Sequence, residues 1–150
     1  SLTYRNFGEV TINGIDLSLA YFPNEQLSLN GNYSYVDNTL FKNVDGIADV
    51  ALNAPGNKGK LGCSYAFRDL PLALGAQFRY VGSFRQDSGV YAGEVDSYAA
   101  LDLNLGYQLP LEHDLRLGVK VSNVLDNKYR TFVGAPEIGR LLFAQLATSF

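Results

Sequence analysis

Over stretches of about nine residues, apolar and polar side chains alternate one for one, a pattern that a β-strand satisfies and a helix scatters around its axis. From Leu101 to Leu109 the odd positions read Leu, Leu, Leu, Tyr, Leu and the even ones Asp, Asn, Gly, Gln. From Leu27 to Tyr35 the odd positions are Leu, Leu, Gly, Tyr, Tyr and the even ones Ser, Asn, Asn, Ser. Successive strand side chains point to opposite faces, so each stretch has one oily and one wet face. The same rule organises Ile15 to Tyr21, Leu61 to Phe67, Leu72 to Tyr80 and Leu115 to Ser122. It holds less cleanly from Arg140 to Phe150, where Leu141 and Phe143 fall in the wet phase. The expectation is all-β: an antiparallel meander of about seven long strands. At Asn13-Gly14 the apolar phase switches, which reads as a hairpin or a bulge in one long strand; the bulge is preferred.

The connections sort by length. Short polar turns fall at Pro23 to Gln26, Arg68 to Pro71 and Pro110 to Asp114, and long ones at Asn38 to Gly56, Gln86 to Val95 and Val124 to Gly139. Long connections therefore gather at one end of the sheet. An oily sheet face packs on a second sheet in a soluble sandwich, or faces lipid in a membrane barrel. A tilted strand needs about 9–11 residues to cross a bilayer, whereas soluble strands average about 5–6. The stretches have the spanning length. Tyr21, Phe22, Tyr65, Phe67, Tyr107 and Phe150 lie at the short-turn ends, and Tyr33, Tyr35, Phe78, Tyr80, Phe84 and Tyr98 toward the long loops. Two aromatic girdles around an aliphatic band are what a bilayer selects, so the barrel is preferred to the sandwich.

Composition removes other classes. With 47% hydrophobic and 18% charged residues in 150, the chain is too apolar for a disordered tail, and no apolar run is long enough for a membrane helix. A net charge of −3 leaves no footprint for nucleic acid. The lone Cys63 and lone His113 leave no internal disulfide or multi-histidine metal site, and Cys63 falls in the lipid phase as a small apolar residue. A start at Ser1 without any methionine suggests a processed chain or a fragment, with no signal peptide in view. The wet face carries Asp16, Lys60, Arg79, Asp102, Arg116 and Lys120 with both signs interspersed. It reads as a solvated face, with a lumen that contacts a solute or a plug as the functional alternative.

The C-terminal third carries a resemblance. Asn123-Val-Leu125-Asp126-Asn-Lys-Tyr129-Arg130, then Val133-Gly134-Ala-Pro136-Glu-Ile-Gly139-Arg140 and a strand ending in Phe150, is similar to the C-terminus of TonB-dependent outer-membrane receptors. Leu52-Asn-Ala-Pro55 resembles an Asn-x-Pro segment of that family's late strands. The resemblance implies a 22-stranded barrel with an N-terminal plug, in the outer membrane of a Gram-negative-type bacterium. Such a receptor imports a scarce solute, a ferric siderophore or cobalamin, with energy relayed by the TonB complex. This chain would be its C-terminal barrel wall over residues 1–150, without the plug. Leu142, Leu146 and Phe150 would form the face that the barrel-insertion machinery reads, with Thr148 departing from the usual aromatic or large apolar residue.

The motif residues also have plain structural duties. Asn123 and Asp126 can bind local backbone and end the sixth strand, Gly134 and Gly139 permit unusual backbone angles, and Pro136 stiffens the loop. Two other functions compete. A small closed structural or adhesive barrel would need an eighth strand from Ser1 to Ile12, because closure normally takes an even number. An enzyme would have to activate a nucleophile with His113, in a short turn between Glu112 and Asp114. No catalytic residue, cofactor or metal ligand is assigned, and the ligand-binding residues stay open.

Overall fold

The computed structural model describes residues 11–37, 51–110 and 114–149. Seven strands form one antiparallel sheet: β1 (Gly14–Tyr21), β2 (Leu27–Val36), β3 (Asn57–Ala66), β4 (Leu72–Val81), β7 (Tyr98–Leu109), β8 (Asp114–Ser122) and β9 (Leu141–Ser149). They lie side by side in that order, each paired with its neighbours in sequence apart from an interruption between β4 and β7. That interruption is a separate hairpin, β5 (Phe84–Ser88) and β6 (Tyr91–Val95). The seven expected stretches are thus the seven strands of the main sheet.

Register puts the alternation to use. Leu29, Cys63, Ala76, Leu103, Val121 and Leu142 face one another in a single line across six strands. One residue along, Asn30, Gly62, Gln77 and Asp102 form the matching line on the opposite face. A slip of one residue in any pair would put a polar row into the oily face, so the pattern itself fixes the register. At the first short turn the Asn24 side chain accepts from the backbone of Gln26 and Leu27 at 3.0 and 2.8 Å. Such an asparagine turn needs no partner elsewhere.

The oily face has no protein cover among the described residues. Leu17, Leu61 and Leu146 are 60%, 64% and 64% exposed. The accessible surface of 11344 Å² exceeds the roughly 7,500 Å² expected of a globular monomer of this size. A sandwich would bury this face; here an apolar sheet surface is presented outward, as to lipid. Among the described residues no helix is long and apolar enough to cross a membrane.

Two expectations change on the structure. Gln86 to Val95, read as a long open connection, is mostly the β5–β6 hairpin, which turns at Gly89 with φ 61°. Polar residues on both of its faces hide the period, although Ser-Gly-Val between two short runs is a hairpin signal. Tyr98, assigned to the outer aromatic girdle, lies in the polar phase beside Asp102 and stacks on Tyr129 instead. Of the proposed bulge at Asn13-Gly14, Glu9 and Val10 lie outside the described residues, Thr11 to Asn13 are in no strand, and the strand begins at Gly14. His113 and Phe150 are also outside them.

On the polar face, two cross-strand pairs place asparagine opposite glycine: Asn30 with Gly62 and Asn104 with Gly75. Each amide lies flat over its glycine, where a Cβ would strike it. In a receptor carrying this sheet, Leu103→Arg should destabilise the barrel by about 2–4 kcal/mol if Leu103 sits near mid-membrane, and Asn104→Arg by much less. Unfolding titrations in lipid vesicles measure both. Equal tolerance at the two positions would reverse the assignment of faces.

Candidate functional site

The polar face is most structured where β4, β7 and β8 reach the long-connection end. Asp102 is 5% exposed and Asn123 fully buried. Asp102 Oδ1 accepts from the Ser122 hydroxyl and the Asn123 backbone N–H, both at 2.9 Å, and from Arg79 Nη2 at 3.3 Å. Arg79 Nη2 is also 3.3 Å from Asp102 Oδ2. The Tyr98 and Tyr129 rings stack at 4.0 Å with 12° between planes. A carboxylate this buried needs paired donors, and three elements supply them.

From this knot the chain leaves the sheet as a shaped loop. Asn123 and Asp126 adopt left-handed backbone, φ 54° and 56°, which asparagine and aspartate tolerate better than most residues. Asn123 Nδ2 donates to the Asn127 carbonyl at 2.9 Å, and Asp126 Oδ1 accepts from the Arg140 backbone at 2.8 Å. The second contact joins the start of the loop to its end. Between them Tyr129 and Ile138 form an isolated bridge, and Arg130 pairs with Glu137 at 3.2 Å. Gly134 has φ 89° and lies under the Tyr91 ring, where a Cβ would come within 2.8 Å. Gly139 is present for another reason than unusual backbone angles: a Cβ there would meet Asp126 Oδ1 at 3.0 Å.

The β5–β6 hairpin is held from both sides. Gln86 Oε1 accepts from the Val133 N–H at 2.9 Å, which ties it to the final loop. Asn53, at φ 58°, accepts from the Asp87 N–H at 2.6 Å and donates to the Asp87 carbonyl at 3.2 Å. Its amide thus imitates a neighbouring strand. Between the end of the hairpin and the final loop lies a cavity of about 230 Å³, lined by Glu94, Asp96, Lys128, Tyr129, Phe132 and Glu137 among others.

The motif residues singled out in sequence fall in two groups. Asn123, Asp126, Tyr129, Gly134, Pro136, Gly139 and Arg140 belong to the shaped loop, whereas Leu125 is exposed on it. Leu142 and Leu146 share the outward apolar phase of β9. The Arg79–Asp102 pair was missed: both residues were read as charges on a solvated face. Their positions one row apart on adjacent strands were the available signal, since Gln77 faces Asp102 and Arg79 faces Ala100. Among the described residues no group of three or more His, Cys, Asp or Glu gathers to hold a metal.

An outward apolar face, a polar inner face and loops of unequal length at the two ends describe one wall of a membrane barrel. The sequence model of the family described as TonB dependent receptor-like, beta-barrel, matches residues 1–124. The chain belongs to that family. It is 36% identical over 127 residues to the metal-pseudopaline receptor CntO of Pseudomonas aeruginosa, in strains UCBPP-PA14 and PAO1. That match covers 81% of this chain and 18% of the relative, so the chain spans under a fifth of its length. Among solved structures, it is similar to the siderophore receptor PiuA of Acinetobacter baumannii (TM-score 0.70, 21% identity, covering 90% of this chain and 21% of that one). The copper transporter OprC gives a TM-score of 0.69 at 18% identity, over 93% of this chain and 23% of that one. At such identities these structures support the fold alone. The family places the wall in the outer membrane of Gram-negative bacteria, and the named relatives are receptors and a transporter.

Two substitutions test the loop anchors. Asp102→Ala leaves Arg79 and the Asn123 N–H without their acceptor and should cost on the order of 3 kcal/mol. Combining it with Arg79→Met should recover part of that loss, because the unpaired charge goes too. Denaturant unfolding of the full-length barrel reads both, and an additive double variant would break the coupling. Asn53→Ala should raise amide exchange at Asp87 while leaving Leu103 protected.

Proposed function

We infer that this chain is the C-terminal part of the barrel wall of a TonB-dependent receptor that binds a scarce solute outside the cell and imports it. The observation that carries this reading is the 36% identity over 81% of the chain to a receptor named for a metal chelate. A chelated metal is therefore the favoured cargo, with a ferric siderophore in the same class; cobalamin, the other solute considered, has no such support. The chemistry asked of the wall is modest. It holds a polar face toward the lumen, an apolar face toward lipid, and shaped loops at the outer end. Energy would come from the TonB complex through a plug domain beyond this segment. Transport, rather than enzymatic turnover, is the activity.

Uptake decides it. Cells whose full-length receptor gene is deleted should lose accumulation of labelled metal chelates, and a plasmid copy should restore it only when TonB and the proton gradient are intact. Unchanged uptake of iron, zinc, nickel, copper and cobalamin in the deletion strain would sink the reading.

The final strand carries a second expectation. Leu142 and Leu146, with Phe150 in the same sequence phase, would form the face read during insertion, and Thr148 would weaken it. Phe150→Ser should lower the amount of heat-modifiable barrel in the membrane fraction more than it lowers ligand binding per assembled receptor. Normal assembly with lost binding would move Phe150 to a ligand-linked role.

A further inference from the structure

The cavity between the hairpin and the final loop is built from two walls that are separately fixed. One wall is the end of β6 and the residues after it, where Val95 is buried and Gly93 lies close enough to Val133 that a Cβ would come within 3.3 Å. The other is the loop from Lys128 to Glu137, closed on itself by the Tyr129–Ile138 bridge and held to the hairpin through Gln86 and Tyr91. A site whose walls are already in place loses little freedom when a ligand enters.

Its charges are unequally used. Arg130 and Glu137 satisfy each other at 3.2 Å. Glu94, Asp96 and Lys128 also line the cavity, yet none has a hydrogen bond or ion pair among the described residues. Arg85 faces Glu94 across the hairpin but approaches Asp87 instead, at 4.0 Å. The space therefore offers two free carboxylates on the hairpin side and one free ammonium on the loop side, with the half-exposed Phe132 ring beside them. At about 230 Å³ it lies below the roughly 300 Å³ at which pockets for drug-sized ligands begin.

We propose that this cavity is a binding site for an amino-carboxylate zwitterion of about dipeptide size, its ammonium held by Glu94 and Asp96 and its carboxylate by Lys128. The assignment rests on the proposed function only in placing the cavity on the outer side of the membrane. Opposite charges on opposite walls select a ligand with both signs at its two ends, and disfavour dianions and dications, each of which meets one like-charged wall.

Full-length receptor purified in detergent is titrated with glycylglycine, N-acetylglycylglycine and glycylglycine methyl ester, with binding read by saturation-transfer NMR and calorimetry. Glycylglycine should bind saturably, and each blocked form about tenfold more weakly, the loss expected for one charged hydrogen-bond partner. Glu94→Gln with Asp96→Asn should abolish the preference for a free amine and keep that for a free carboxylate; Lys128→Gln should do the reverse. Heat-modifiable mobility of each variant establishes that the barrel is folded. No saturable binding of glycylglycine, equal binding of the blocked forms, or preferences unmoved by the variants would overturn the proposal. Chelate uptake is scored separately: its absence with zwitterion binding intact rejects the transport reading and leaves this site standing.

Discussion

A peptide group in hydrocarbon must find its hydrogen-bond partner within the protein, because the lipid offers none. Nearly every feature of this chain follows from that constraint. It accounts for strands of spanning length, for an unbroken ladder across seven of them, and for short turns that close on themselves, as Asn24 does between β1 and β2. It also gives the two sheet edges their meaning. β1 and β9 each have one paired side in this sheet, and at membrane depth the other side requires a strand too. A wall of this kind is stable as part of a closed barrel.

Once the outward face is given over to lipid, polar chemistry is confined to the inner face and the outer loops. The inner face solves a steric problem as well as a polar one. Asparagine amides lie flat on Gly62 and Gly75, so polar groups are present without projecting far into the lumen. The same face holds one deeply satisfied carboxylate, Asp102, whose partners come from β4, from the end of β8 and from the first residue of the final loop. That carboxylate joins the sheet, which is fixed by lipid and register, to a loop that neither of them fixes.

The sequence was legible where one physical rule acted alone. Each main strand separates two solvents, so its side chains alternate and its position can be read from the pattern. The β5–β6 hairpin lies beyond the main sheet, its faces carry no such contrast, and it passed for an open connection. Tyr98 was misplaced because an aromatic near a strand end resembles a girdle residue until its phase is compared with Asp102 two rows of side chains away. Arg79 and Asp102 are 23 residues apart in sequence, and only the register of β4 against β7 brings them together. Gly139 shows the same limit on a smaller scale. Its smallness was evident, but the reason, a close approach by Asp126 from the other end of the loop, is a tertiary fact.

The final loop and the hairpin beside it separate residues that shape the backbone from residues that carry no structural bond. Asn123 and Asp126 take left-handed backbone, Gly134 admits the Tyr91 ring, and Asn53 and Gln86 hold backbone groups of neighbouring segments. None of these duties refers to a cargo. Glu94, Asp96 and Lys128 are the converse: they face the cavity, they support no backbone contact, and replacing them would leave the loop's internal bonds intact. A frame fixed by one set of positions can therefore keep its geometry while the charges of the other set change. On that division a recognisable motif marks the architecture of a receptor wall, and charge can vary at positions without structural duties, both beyond the motif, as at Glu94 and Asp96, and within it, as at Lys128.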